Sequence, residues 1–284
     1  MARAFLASFK NTLEDASETP QSLVPLLCLL VTSVAWTAFG SYGFSAYSVG
    51  GLFALGFAVS LLREPPERVL RYLALAASVL VLGVAPINTD TSNEHVLILG
   101  TAFLLAILLP TLILWRQKAR IITFKLLPDE LDWVEIFYTL LSVPLAWGVL
   151  QLYFFVLSPE VPFNWLLPSE PQTEPLLRLF LGINAVGIWD ELFFINVSYA
   201  IVRSLFPYLT ANLAQSVIYT AVLWTMAFKG AGLLLVYVFA FTQGAMYERS
   251  RCLLWVLIVH LIVDYFLFQA IVSAYYPNFE VWWH

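Results

Sequence analysis

Charged side chains are scarce in this sequence: only 12% of its 284 residues are Asp, Glu, Lys or Arg, whereas 61% are hydrophobic. A soluble domain carries about twice that charged fraction. The composition therefore excludes an ordinary soluble fold. The net charge is −5, which excludes the basic surface that nucleic-acid-binding proteins present, so nucleic acid is not expected as a partner.

Cysteine and histidine are also few. The two cysteines, Cys28 and Cys252, lie in separate apolar segments, which excludes a disulfide framework and a Cys-x-x-Cys metal motif. Of the three histidines, His95 and His284 are predicted to lie at a membrane interface, and His260 lies within an apolar segment. The sequence contains no metal-binding motif and identifies no cofactor.

Long apolar runs dominate what is present. A bilayer core of about 30 Å requires roughly 20 apolar residues in a helix. Runs of suitable length cover residues 22–40, 49–62, 69–86, 95–115, 134–157, 176–205, 213–229, 231–247 and 252–274. The sequence therefore predicts an all-α, polytopic transmembrane bundle of about nine spans, with the lipid bilayer as its surroundings.

The positions of Lys and Arg predict the orientation of these spans. If the runs are connected in order, all the basic residues except Arg178 and Lys229 fall on one side of the membrane. Cytoplasmic loops carry such an excess of Lys and Arg. We therefore expect a multi-pass integral membrane protein with a cytoplasmic N-terminus and a C-terminus on the outside.

Composition divides the chain into five regions. Residues 1–20 are predicted to be an amphipathic surface helix or a disordered tail, and residues 21–157 a five-span region. Residues 158–175 are rich in proline and are expected to form an outer loop. Residues 176–274 form a four-span region, and residues 275–284 an aromatic tail that suits the membrane interface.

Four ionisable residues lie well inside predicted spans: Asp190 and Glu191 in the sixth, and His260 and Asp264 in the ninth. Each costs a few kcal/mol near the middle of a membrane, so such groups usually face a bundle interior or a cavity. Adjacent carboxylates point about 100° apart on a helix, whereas residues four apart share a face. These four are the candidate catalytic residues; a structural network that locks the bundle is the alternative.

Two sequence runs carry a family resemblance. Residues 187–194, Gly-Ile-Trp-Asp-Glu-Leu-Phe-Phe, resemble the Glu-Glu-x-x-x-Arg motif of the CAAX protease and bacteriocin-processing (CPBP) family of intramembrane proteases. Residues 244–253, followed by His260 and Asp264, are similar to that family's last motif, a Gly-x-x-Tyr-x-Arg turn before a helix with His-x-x-x-Asn/Asp. The resemblance covers residues 176–268, about a third of the chain, and rests on the two motifs jointly.

The resemblance implies an intramembrane endopeptidase. Such an enzyme would cleave peptide bonds of membrane-anchored proteins or peptides, including prenylated ones, with a carboxylate-activated water. Asp190 and Glu191 would be the acid pair, and His260 and Asp264 would hold the developing oxyanion. We expect any activity to depend on Glu191, which keeps the family's side chain.

Three positions depart from the family pattern. Asp190 replaces the first Glu, Ile195 replaces the Arg, and Phe228 stands where the middle motif, Phe-x-x-x-His, has its histidine. Losing one partner of a water-activating pair lowers the rate by orders of magnitude. A three-ligand metal site, formed by Asp190 or Glu191 with His260 and Asp264, is one remaining route to activity.

Two other functions are open. A catalytically silent relative would hold a lipid, a pigment, an isoprenoid-like chain or a partner helix in a groove. That groove would be lined by the aromatic side chains of Trp189, Phe193, Phe194, Trp224 and Phe228. A transporter would use Asp190 and Glu191 as a proton site, but the sequence lacks the paired helix breaks in two halves that many transporters have.

Overall fold

The computed structural model describes residues 22–117, 120–226 and 228–279, so the segment predicted over residues 1–20 lies outside the described residues. Over the described ranges the chain forms helices and no strand, which confirms the all-α prediction there. The principal helices are α1 (Val24–Ala38), α2 (Phe44–Leu61), α3 (Pro66–Val84), α4 (Asn93–Leu114), α5 (Trp133–Leu157), α6 (Thr173–Arg203), α7 (Tyr208–Val222), α8 (Ala231–Ser250) and α9 (Leu254–Tyr275). Short 3₁₀ turns cover Gly40–Tyr42, Val161–Asn164 and Leu223–Thr225.

Six of these helices, α2, α4, α5, α6, α8 and α9, are long and apolar enough to cross a membrane by length and composition. Helix α1 is apolar but shorter. Helix α3 carries Glu67, Arg68 and Arg71 in its first two turns, and α7 has only 15 residues. Many large apolar side chains are exposed on the helix surfaces, as expected where a bundle faces lipid rather than water. These features indicate an integral membrane protein.

The helices that position the site pack side by side. Helix α9 lies against α5 and α6, and α7 lies against α8. A tight turn connects α8 to α9, because Arg251 adopts the left-handed conformation (φ 52°) that ends α8. Helix α9 can therefore begin only a few residues later and run back along the bundle.

Helix α6 is irregular at the point where the two candidate acids lie. Its α-helical part ends at Asp190, and a π-helical segment runs over Glu191–Ser198 before α-helix resumes. Residues 193–198 are buried in the core. π-Helical segments within α-helices change the direction of the side chains around them and are frequent at functional sites.

Loops fasten both ends of α9. At its start, the backbone N–H groups of Leu253 and Leu254 donate to the carbonyls of Lys125 and Leu126, each at 2.9 Å. At its end, the Tyr276 hydroxyl donates to the Pro168 carbonyl at 2.6 Å, and the Tyr275 hydroxyl donates to the Trp165 carbonyl. These contacts fix the height of α9, and with it the positions of His260 and Asp264, relative to α6.

Candidate functional site

The four ionisable residues singled out in the sequence meet in the middle of the bundle. His260 Nδ1 lies 2.6 Å from Glu191 Oε1, a distance at which an imidazole N–H donates to a carboxylate. His260 Nε2 lies 3.7 Å from Asp264 Oδ1, which is beyond hydrogen-bond range. Asp190 is the neighbour of Glu191 on α6, and all four side chains are buried. We call these four residues the acid–histidine cluster.

Two neutral residues that the sequence argument did not select complete the surroundings of the cluster. Gln243 Nε2, on α8, donates to Glu191 Oε1 at 3.1 Å and to the Val256 carbonyl at 2.8 Å. The Tyr219 hydroxyl, on α7, donates a long bond of 3.5 Å to Asp190 Oδ2. Neither residue is Asp, Glu, His, Lys or Arg, so the selection of such residues within apolar runs did not include them. Gln243 could have been recognised in the sequence as a polar side chain within an apolar run.

Gly187 allows α6 and α9 to approach at the cluster. A Cβ atom built on Gly187 would overlap Asp264 Oδ2 and would lie 2.9 Å from His260 Cδ2. Gly187 lies one turn before Glu191 on the same helix, so its missing side chain leaves the space that the His260 and Asp264 side chains occupy. Phe239 closes the other side of the imidazole with an edge-on ring contact at 5.1 Å.

A cavity of about 420 Å³ opens beside the cluster, between α4, α5, α6, α8 and α9. Its volume lies in the range of small-molecule sites, about 300–1,000 Å³. Asp190, His260 and Asp264 line it, whereas Glu191 does not. The two adjacent carboxylates therefore diverge: Asp190 faces the cavity, and Glu191 lies behind His260 and Gln243.

The cavity wall is mostly apolar, with a second polar patch where residues 88–91 and His95 reach it. His95, which is predicted to lie at the membrane interface, is buried within the protein at the start of α4 and forms part of this wall. Asp90 lies in the loop before α4, and the Ser92 backbone N–H that donates to it holds the pKa of this carboxyl below its ordinary value. The loop end of the cavity is therefore anionic at neutral pH.

Only part of the expected aromatic groove lies on this cavity. Trp189 and Phe228 line it, and the Phe228 ring stacks on Tyr153 with centroids 5.7 Å apart. Phe193 and Phe194 are instead fully buried in the core. Trp224 packs against Phe39, at 5.1 Å between ring centroids.

Residues 244–253, the second run with the family resemblance, cover the end of α8 and the turn after it, away from the cavity. Gly244 lets α8 approach the amides of Asn212 and Gln215 on α7, where a Cβ atom would overlap Asn212 Oδ1. The Tyr247 hydroxyl donates to Asn196 Oδ1 at 2.6 Å. Glu248 accepts hydrogen bonds at the same end of the helix. The run therefore binds α8 to α6 and α7.

Glu248 is the centre of a second polar group, which is partly buried. It accepts from the Tyr199 hydroxyl at 2.6 Å, from Arg203 Nε at 3.1 Å and from an Arg251 guanidinium nitrogen at 2.7 Å. We call Tyr199, Arg203, Glu248 and Arg251 the Glu248 cluster.

Within the described part of the chain, no group of three or more His, Cys, Asp or Glu side chains has an arrangement that could hold a metal ion. The acid–histidine cluster can bind and orient a polar group and can take up or release a proton. No protein-family model, curated protein or solved structure matches this chain.

Proposed function

We propose that this chain is a multi-pass membrane protein that binds an elongated apolar molecule in the cavity, with the polar end of that molecule against Asp190, His260 and Asp264. The cavity itself is the observation that supports this proposal. Its wall is mostly apolar, its volume suits a small molecule, and three buried ionisable groups meet it at one place. Mostly apolar walls with a few polar groups that fix orientation are typical of ligand sites.

The rim of the cavity supports entry from the bilayer. Leu141 and Leu145 on α5, and Leu234 and Val238 on α8, line the cavity and are also exposed on the bundle surface. Each pair is four residues apart and so lies on one helix face. A hydrocarbon chain could pass between α5 and α8 without crossing water.

We also propose the full topology predicted from the sequence, with nine spans, a cytoplasmic N-terminus and a C-terminus on the outside of the membrane. Each predicted run overlaps one of the helices α1 to α9, and the alternation of Lys and Arg supports this orientation. The test is labelling of Gln172→Cys and Asp129→Cys in a Cys28→Ser, Cys252→Ala background by a membrane-impermeant maleimide. Gln172→Cys should react in intact cells, and Asp129→Cys only after permeabilisation. The reverse pattern would overturn the orientation.

Two glycines provide a matched test of binding. A Cβ atom at Gly182 or at Gly148 would meet nothing within 4 Å, but Gly182 lines the cavity and Gly148 does not. A phenylalanine at position 182 should therefore fill the cavity, while Gly148→Phe adds the same side chain elsewhere.

The measurement is photolabelling of the purified protein in nanodiscs by a diazirine-bearing hexadecanol, with the labelled residues mapped by mass spectrometry. Labelling on the cavity faces of α5, α8 and α9 should fall at least tenfold in Gly182→Phe and should persist in Gly148→Phe. Equal labelling of those faces in both variants would contradict the proposal, because it would reflect the surrounding lipid alone.

A second candidate is the endopeptidase that the family resemblance implies. The specific observation in its favour is that a carboxylate–imidazole pair, Glu191 with His260, lies beside two carboxylates on the cavity wall. A buried base of this kind could take a proton from water as the water attacks a peptide carbonyl. Against it, Glu191 is walled off from the cavity, and the positions of the family's Arg and His hold Ile195 and Phe228.

Cleavage of prenylated CAAX peptides by the protein in nanodiscs tests this candidate. Cleavage that is lost in Glu191→Gln would establish the endopeptidase. No cleavage by wild type, together with cleavage gained in Phe228→His, would support a binding protein that has the CPBP-like arrangement without its chemistry.

A further inference from the structure

The unpartnered polar atoms of the acid–histidine cluster are all oxygens; elsewhere on the described cavity wall, His95 Nε2 at the loop end also lacks a partner. Asp190 Oδ1, Glu191 Oε2 and Asp264 Oδ2 have no hydrogen-bond partner among the described residues, and neither does Gln243 Oε1 beside them. Asp190 and Asp264 are only 2% and 4% exposed, and both line the cavity. A buried polar atom without a partner lowers stability, so a donor that binds these oxygens would recover that free energy.

The donors that belong to the site are already engaged. The Tyr219 hydroxyl donates to Asp190 Oδ2, and the Gln243 amide donates to Glu191 Oε1 and to a backbone carbonyl. His260 places Nδ1 against Glu191. The site has an excess of acceptors.

The acidic side chains on the cavity wall outnumber the histidines there, His95 and His260. Asp90, Asp190 and Asp264 line it, and no Lys or Arg lies among the described lining residues. Asp90 lies at the loop end, and the two other acids lie at the acid–histidine cluster. A carboxylate or phosphate ligand would bring further acceptors to a cluster whose own free atoms are acceptors, so it should bind poorly there.

We infer that the polar end of the bound molecule is a hydrogen-bond donor, and best a protonated amine, on an elongated apolar body. An ammonium group has three donors and no acceptor, which matches the free oxygens of Asp190 and Asp264. A hydroxyl satisfies one acceptor and should bind more weakly, and an acid or an ester should bind worst. This inference rests on the proposed binding function and narrows it to a class of ligand.

The test is competition against the diazirine-bearing hexadecanol in phosphatidylcholine nanodiscs. Hexadecylamine, hexadecanol, hexadecanoic acid and its methyl ester are compared on the wild-type protein. The amount of each competitor in the nanodisc is measured by extraction, so that differences in membrane partitioning are removed. We expect the amine to displace the probe from the cavity residues at about a tenth of the concentration that the alcohol needs, a difference of about 1.4 kcal/mol. The acid and the ester should need more than the alcohol.

Failure of the proposed binding function and failure of the amine preference give different results in this experiment. If no competitor displaces the probe from the cavity residues, the proposed binding function fails. If all four displace it equally, or the acid is best, the cavity binds apolar chains and the inference about the polar end is overturned. Asp190→Asn/Asp264→Asn should bring the amine and the alcohol within twofold of each other, whereas the exposed control Glu130→Gln should preserve the tenfold preference. Because the comparison of competitors uses wild type, it stands even if the double variant folds poorly.

Discussion

Two polar clusters in the described part of the chain, the Glu248 cluster and the acid–histidine cluster, differ in how donors and acceptors are matched. In the Glu248 cluster, one carboxylate accepts hydrogen bonds from a tyrosine and two arginines. In the acid–histidine cluster, three carboxyl groups share one histidine, and each retains an oxygen without a partner among the described residues. The first cluster joins helix ends at one end of the bundle, while the second borders a cavity in its interior.

This difference separates a structural role from a binding role. A carboxylate whose hydrogen-bonding capacity is used by donors of the same chain contributes to holding the helices together. A cluster with more acceptors than donors is incomplete as a structural device, because each free oxygen remains desolvated. The same shortage of donors makes the second cluster suitable for receiving a donor from outside. Substitutions in the two clusters should therefore have different effects on stability.

The largest effect is expected at Glu248. Replacing it in Glu248→Ala removes the acceptor of three hydrogen bonds and leaves the partly buried Arg203 without this carboxylate. The free energy of unfolding should fall by about 3 kcal/mol, as when one partner of a buried ion pair is removed. Denaturation of the protein in mixed micelles measures it. The exposed Glu130→Ala is the control and should change stability by less than about 0.5 kcal/mol; a similarly small change in Glu248→Ala would contradict the structural role.

Gly187→Ala should have the next largest effect, because its Cβ atom would overlap Asp264 Oδ2 and crowd His260. Such overpacking should lower the free energy of unfolding by about 2 kcal/mol and should reduce photolabelling of the cavity. Gly182→Ala lies on the same helix in open space, and it should be neutral or slightly stabilising because alanine favours helix. Equal stabilities of the two variants would show that α9 can move away from α6 without penalty.

A smaller effect on the free energy of unfolding, one that depends on pH, is expected at Asp132, whose partner Arg249 directly follows Glu248 in the chain. Its carboxylate accepts the Val134 N–H at the start of α5 and pairs with Arg249, and these contacts hold the pKa of Asp132 below its ordinary value. A lowered folded-state pKa means that the stabilisation is present above the unfolded pKa of about 3.9 and is lost as the pH falls through the folded-state pKa. Asp132→Ala should therefore cost about 1 kcal/mol at pH 7.

The measurement for Asp132 is the difference in unfolding free energy between wild type and Asp132→Ala at several pH values. The difference should be constant above about pH 5 and should shrink below pH 4. Asp129→Ala provides a control with an exposed acid three residues earlier. A difference that does not vary with pH would show that the charge of Asp132 contributes nothing.

The helical fold could be predicted from the sequence because its signal is strong and local. An apolar run long enough to cross a bilayer has few alternatives to a helix, and each predicted run overlaps a helix in the structure. Helix ends were harder to predict: residue 49 was expected to begin the second run, whereas the helix begins at Phe44. The intervening residues are mostly small or weakly polar, and hydropathy alone does not separate them from a loop.

The site could be predicted only in part. Ionisable residues within apolar runs are conspicuous in a sequence, and the structure places all four of them together. The π-helical segment after Asp190 and the contact at Gly187 depend on packing between distant helices, which a linear pattern does not contain. For the same reason, the sequence did not indicate that Phe193 and Phe194 lie in the core while Trp189 and Phe228 reach the cavity.

The smallest effect on stability is expected within the acid–histidine cluster, and it tests the comparison most directly. Asp264→Asn keeps the shape of the side chain and leaves the 2.6 Å contact between His260 Nδ1 and Glu191 Oε1 in place, whereas Asp264 itself approaches His260 Nε2 only to 3.7 Å. The free energy of unfolding should change by about 0.5 kcal/mol or less, because the Asp264 carboxyl group accepts no hydrogen bond from a described residue that the substitution would remove. The preference for an amine competitor should fall in the same protein. A loss of stability as large as that of Glu248→Ala would instead mean that the acid–histidine cluster locks the bundle, as the Glu248 cluster does.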